Sequence, residues 1–207
     1  MKLSIHHYKK GFSLVEMIVS LGIFALVSVV ALGAFIKIID ANKKAQALKT
    51  AINNLNFTLE SMSREMRVGT DYYCGNSDPS WTAFTKTACS GGSVMAFRSS
   101  VAAPDGSGGT CNLIYVYKLV TSANPLVGKI QKAEQTSCGS TPTYDDVTAK
   151  DIVITTTNPF SVIIPTVKGM PGQPYAKINL QGYSGSKEKI KTTFSLQTSV
   201  SPRLMNN

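Results

Sequence analysis

Histidine is nearly missing from this 207-residue chain: both copies, His6 and His7, fall within the first seven residues and none follows. Past that point no imidazole is available as a general base, a triad member or a metal ligand. A Gly-x-Ser-x-Gly elbow, a Walker loop and a dinucleotide fingerprint are missing too. These absences argue against an enzyme, and no cofactor or metal is expected. Charge is missing in one place only. From Met17 to Ile36 there are twenty consecutive residues without Asp, Glu, Lys or Arg.

The length suffices for one domain with a core plus an appendage. The net charge of +9 is spread thinly: Lys2, Lys9 and Lys10 supply +3, residues 12–67 carry +2 and the remainder +4. That is a mild excess rather than the dense cationic face of a dedicated nucleic-acid binder. The four cysteines, Cys74, Cys89, Cys111 and Cys138, all lie beyond the apolar run. An even count on that side favours two disulfides in an oxidising compartment, with free thiols as the alternative. Zinc fits worse, because no pair has close ligand spacing and no histidine is nearby. Three connectivities are open, and pairing sequence neighbours closes the shortest loops.

Met17–Ile36 gives about 30 Å of helix, enough to cross a hydrocarbon core. Lys9 and Lys10 stand immediately before it and favour a cytoplasmic N-terminus, a bias that Lys43 and Lys44 on the far side weaken. A secretory signal peptide would have a shorter apolar region ending at a small-residue cleavage site, and here the run continues instead. The alternative is a signal anchor of an unrelated single-pass protein, against which Glu16 argues. A carboxylate near the middle of such a span costs about 2.5–3.5 kcal/mol on insertion scales; near the edge it could snorkel as a tolerated charge, and otherwise it calls for a cationic partner in the apolar phase.

Lys-Lys-Gly-Phe-Ser-Leu-Val-Glu followed by an apolar helix resembles the processing and methylation signal of type IV prepilins and secretion pseudopilins. The resemblance implies that a prepilin peptidase cuts between Gly11 and Phe12 and that Phe12 becomes the N-methylated first residue. Glu16 would then pair with the Phe12 amine of a neighbouring subunit during assembly. Opposite charges 4 Å apart at an effective dielectric near 20 attract by about 4 kcal/mol, comparable to the insertion cost of Glu16. Many major pilins have a proline where this chain has Gly33. Glycine weakens a helix by about 1 kcal/mol but keeps its amide donor, so local melting is permitted there without being required. The departure points toward a minor pilin or pseudopilin.

After the apolar run, Ile38, Ala41, Ala45, Leu48, Ile52, Leu55, Leu59, Met62 and Met66 recur every three or four residues. The stripe predicts that the same helix continues to about Arg67 with these positions in a core, and that Gly69 stops it. Beyond Gly69 the period changes to alternation. Ser93–Ser100, Leu113–Val120, Leu126–Lys132, Ile152–Thr156, Phe160–Ile164, Ala176–Gln181 and Lys189–Val200 read as strands. In the last, Ile190, Thr192, Phe194, Leu196, Thr198 and Val200 share one face. The closing Thr-Phe-Ser-Leu-Gln-Thr-Ser-Val-Ser-Pro-Arg looks like the final strand of larger minor pseudopilins. The expected class is α+β: a long N-terminal helix, membrane half then amphipathic half, packed on an antiparallel sheet. This is the ladle that the pilin resemblance implies.

Three features beyond Gly69 carry competing readings. Pro104–Gly109 has a calcium- or phosphate-loop look but lacks spaced ligands and a following helix, so it reads as a hairpin connection. Asp145, Asp146 and Asp151 are a second calcium candidate against a cap or solvated loop. Tyr72, Tyr73, Trp81, Tyr115 and Tyr117 with Lys86, Arg98 and Lys118 would suit single-stranded DNA if they shared a surface, whereas aromatics at strand spacing are ordinarily core.

The resulting organisation is a leader over 1–11, a membrane and filament-core helix over 12–39, its amphipathic outer half over 40–68 and a β-rich head over 69–207. The expected role is a structural subunit, minor, of a type IV pilus or secretion pseudopilus. Its partners would be prepilin peptidase/methylase, other pilin or pseudopilin subunits, the inner-membrane assembly platform and the membrane itself. The location follows: single-pass in the bacterial cytoplasmic membrane with the head outside, then in an extracytoplasmic filament. The alternative is a filament-borne module for DNA uptake or adhesion, with nucleic acid as a weakly supported partner.

Overall fold

The computed structural model describes residues 11–123, 126–167, 170–185 and 191–202. Among these residues one helix, α1 (Leu14–Arg67), precedes twelve strands. By contacts the chain forms two compact units that meet between Lys43 and Lys44. In the first, every large apolar side chain from Phe12 to Ile39 is exposed, and the stretch is long and apolar enough to cross a membrane. Its serines are matched to that environment. Ser20 Oγ donates to the Glu16 carbonyl at 2.7 Å and Ser28 Oγ to the Phe24 carbonyl at 2.8 Å, so neither hydroxyl needs water.

The second unit begins within α1, and its sheet is antiparallel. In chain order the strands are β1 (Thr70–Gly75), β2 (Cys89–Gly92), β3 (Val94–Pro104), β4 (Thr110–Ala123), β5 (Leu126–Glu134) and β6 (Tyr144–Asp146). Then come β7 (Ile152–Ile154), β8 (Phe160–Ile163), β9 (Thr166–Val167), β10 (Met170–Pro171), β11 (Tyr175–Ser184) and β12 (Thr192–Val200). Hydrogen bonding runs β1-β3-β4-β5-β7-β11-β8-β2, with β12 along β11, β6 along β5, and β9–β10 a separate pair. The ends of that path touch. Cys74 N donates to the Thr87 carbonyl at 2.9 Å and Thr87 N to the Tyr72 carbonyl at 3.0 Å, joining β1 to the chain entering β2.

Six of the seven expected strands appear with ends shifted by a few residues; the seventh begins at Thr192, after a non-strand Lys191, and its expected first residues Lys189 and Ile190 lie outside the described set. The alternation expected of it holds: Phe194 and Val200 are buried while Thr193, Ser195, Gln197 and Ser199 are exposed. β1, β2, β6, β9 and β10 were not expected. Cys-Ser-Gly-Gly has no strand pattern of its own, and β2 exists because Cys89 and Gly92 find register against Val162 and Phe160.

Of the helix stripe only Leu55, Leu59, Met62 and Met66 are fully core. They are buried with Ala51 among Phe97, Tyr117, Ile130, Phe160 and Leu180, whereas Leu48 and Ile52 are half-buried and Ile38, Ala41 and Ala45 are exposed. The three-four repeat marks a face but not where its cover begins. Gly69 does follow the helix end, though for a reason other than a left-handed cap. A Cβ there would stand 2.5 Å from the Phe97 ring, and the positive φ, 50°, belongs to Asp71. Tyr72 closes the end by donating its hydroxyl to the Met66 carbonyl.

The sheet is covered on both faces over β3–β5, not on one. Met95 and Phe97 face the helix, while Val94, Ala96, Ile114, Val116 and Ala133 form a second cluster on the opposite face. Trp81 and Phe84, from the segment between β1 and β2, lie over that second cluster. Gln135 holds the segment down. Its side-chain oxygen accepts from Ile114 N at 3.0 Å, and its Nε2 donates to the carbonyls of Trp81 and Ser140 at 3.1 and 3.0 Å.

Glu65 ties the helix to the sheet. Its carboxylate accepts from the Tyr117 hydroxyl at 2.6 Å and from Lys132 Nζ at 2.7 Å, and Glu134 lies 3.4 Å from the same ammonium. Burial works against the Lys132 charge, but Glu65 and Glu134 outweigh it and hold its pKa above the ordinary lysine value. Burial and the Glu65 hydrogen bond push the Tyr117 phenol well above its usual range. Glu65→Ala would leave the buried Tyr117 hydroxyl without this acceptor and Lys132 with only the looser 3.4 Å contact to Glu134. It is expected to cost about 2–3 kcal/mol, read as a lower midpoint in denaturant with an unchanged slope.

Candidate functional site

The N-terminal site is built on the first turn of α1. Ser13 is the helix cap: its Oγ accepts from Glu16 N at 3.2 Å and its carbonyl from Met17 N at 3.2 Å. Ser-x-x-Glu at this spacing is a capping box, a signal that was readable and that the apolar run beside it obscured. With its amide bonded, Glu16 keeps an exposed carboxylate that has no partner among the described residues. Phe12 precedes the cap and is exposed. At both Gly11 and Gly33 an added Cβ would meet nothing within 4 Å. The chain's own packing therefore does not demand glycine at either position. Lys9 and Lys10 lie outside the described residues.

The cysteines pair as neighbours, Cys74 with Cys89 and Cys111 with Cys138. The first bridge crosses between β1 and β2, and the second ties β4 to the loop after β5. The Pro104–Gly109 segment is the β3–β4 connection. Asp105 Oδ1 accepts from Ser107 N at 2.9 Å and Gly109 N at 2.8 Å, which holds its pKa below the ordinary carboxylate value. That oxygen is committed to the turn rather than to a cation. Asp146 is committed as well, to Lys129 at 2.9 Å and Gln131 at 2.8 Å, and these two bonds likewise depress its pKa.

The aromatic and basic residues divide between two faces: Tyr73, Trp81, Arg98 and Lys118 lie on the one opposite the helix. Tyr72 and Tyr117 are buried in the helix-side core, with Tyr115 packed against it beneath Lys132. Tyr73 and Trp81 belong to the opposite face. Lys118 pairs with Asp78 at 2.9 Å, and Arg98 lies 5.5 Å over the Phe84 ring with Asp71 at 3.6 Å. Alternation along β4 sends its tyrosines and its lysine to different sides.

The comparison with known proteins bears on the capped turn and the apolar helix behind it. Residues 6–32 match the prokaryotic N-terminal methylation motif. This is the signature of type IV prepilin- and pseudopilin-type proteins, and it spans Gly11, Phe12, Ser13, Glu16 and most of the apolar run. No curated protein and no solved structure matches the chain. The motif is that of processed pilin-like subunits, which are structural rather than enzymatic. Such a motif implies processing by prepilin peptidase and association with other pilins. The exposed apolar helix supplies a segment suited to membrane anchoring.

Proposed function

We propose that this chain is a structural subunit, minor in abundance, of a type IV pilus or secretion pseudopilus. Prepilin peptidase removes residues 1–11, and Phe12 is methylated on its new amine. Residues 12–39 hold the subunit in the cytoplasmic membrane and later in the filament core. Residues 40–68 continue the helix, and 69–207 form the head outside the membrane, where the two disulfides fit an oxidising compartment. The assembly platform in the inner membrane moves the subunit from bilayer to filament. The minor role rests on Gly33 standing in place of proline.

The observation that carries this reading is the Glu16 carboxylate, unpartnered among the described residues, four residues after a junction that matches the methylation motif. A cut at Gly11 creates the amine such a carboxylate needs. The alternative of a DNA-uptake or adhesion module has less behind it: of the five aromatics only Tyr73 and Trp81 lie on one face with Arg98 and Lys118, and those two cations are paired with Asp71 and Asp78. Mass spectrometry of the protein from a peptidase-competent host is expected to find N-methylated Phe12 as the first residue. An intact leader in that host overturns the proposal.

A further inference from the structure

Phe57 breaks the pattern of its helix. It stands about 200° around from Leu55, pointing away from the sheet, and is 75 % exposed on a stretch whose other large apolar side chains are mostly covered. Glu60 and Arg64 flank it on the same outward face and pair with each other at 2.6 Å. The opposite side of the unit carries a matching recess. Over the second cluster lies a hollow of about 290 Å³ walled by Trp81, Phe84, Arg98 and Ile114 and by the Cys111–Cys138 bridge. Its shape is set in advance, because Gln135 pins the Trp81 segment and the disulfide fixes the far wall.

We infer that Phe57 of one copy seats in the Trp81–Phe84–Arg98 hollow of a second copy, a contact that rests on the filament reading and gives it a surface between neighbouring heads. Three features choose this occupant. The phenyl ring meets two aromatic rings and a guanidinium already placed over one of them. Glu60, 63 % exposed and one turn after Phe57, brings a carboxylate to Arg98, whose ion pair with Asp71 is at a loose 3.6 Å. Knob and hollow lie on opposite faces of one unit, so the contact is heterologous and repeats without closing, as a filament needs. A scarce subunit uses it whenever two copies enter in succession.

The test places the photocrosslinking residue benzoylphenylalanine at Phe57 in the full chain, expressed in its host and irradiated in membranes and sheared filaments. The expected result is covalent multimers of this chain, with the adduct mapped by mass spectrometry to Trp81–Phe84. Arg98→Glu should reduce the adduct about tenfold, and adding Glu60→Arg should restore it. No adduct, an adduct elsewhere, or an adduct on a different protein alone overturns the inference. The N-terminus of the same material separates the two proposals. Methylated Phe12 without the adduct sinks the contact alone, whereas the mapped adduct on an uncut chain sinks the filament reading and keeps the contact.

Discussion

Changing Glu16 to alanine is expected to leave cleavage after Gly11 intact and to lower recovery of the subunit in filaments by about a hundredfold. The magnitude follows from the balance at this position. Holding the carboxylate in an apolar phase costs about 2.5–3.5 kcal/mol, and a paired amine about 4 Å away returns a similar amount, so the free subunit bears a cost that the assembled one does not. The cap complicates the experiment, because Glu16 also stands at the third position of the Ser13 capping box. Two companion variants separate the roles. Glu16→Gln keeps a side chain suited to the box and removes the charge, and it should fail as badly as alanine. Ser13→Ala removes the cap, worth about 1 kcal/mol, keeps the charge and should assemble with only a severalfold loss. If glutamine assembles normally while Ser13→Ala fails, Glu16 serves the helix end and not a neighbour's amine.

What was legible in the sequence divides along the same line. The N-terminal site was readable because a membrane and a processing step both act on local sequence. They require an uncharged run, a basic flank and a carboxylate at fixed spacing, and none of these depends on a distant part of the chain. The strand with clear alternation, Thr192–Val200, was equally readable. The interior beyond them was not. β2 exists through its pairing with β8, seventy residues away in the chain. The second cluster was hidden because Val94 to Phe97 is apolar at every position, which leaves nothing to say which alternate residues face the helix. The hollow depends on Gln135 and Trp81, two residues in unpatterned sequence that meet only after the sheet has formed. Phe57 was visible as an apolar residue off the stripe, and only its exposure in the folded unit gives it meaning.

Removing the Cys74–Cys89 bridge by a paired change to alanine is expected to lower the unfolding midpoint of the Lys44–Asn207 unit by about 6–12 °C. Loop entropy alone would rank the other bridge first. The separations are 15 residues for Cys74–Cys89 and 27 for Cys111–Cys138, which correspond to about 3 and 3.6 kcal/mol in the chain-entropy treatment. The native surroundings reverse that order. Cys111–Cys138 spans strands already zipped by nine consecutive β4–β5 pairs, so its loss leaves a hydrogen-bonded ladder in place. Cys74–Cys89 joins the two ends of the strand path, where a single bridge between Tyr73 and Thr87 is the remaining pairing of that kind. Cys74 is also 2 % exposed, within the cluster that packs Met66 and Phe160, so its truncation adds a packing loss. Near-UV circular dichroism of the detergent-solubilised full chain is the suitable readout. Its tyrosine signal includes the buried Tyr72 and Tyr117, whereas the one tryptophan, Trp81, sits beside the Cys111–Cys138 bridge and reports on that side. A smaller drop for Cys74→Ala/Cys89→Ala than for Cys111→Ala/Cys138→Ala would return the stabilisation to the unfolded chain and remove the structural role assigned to the seam.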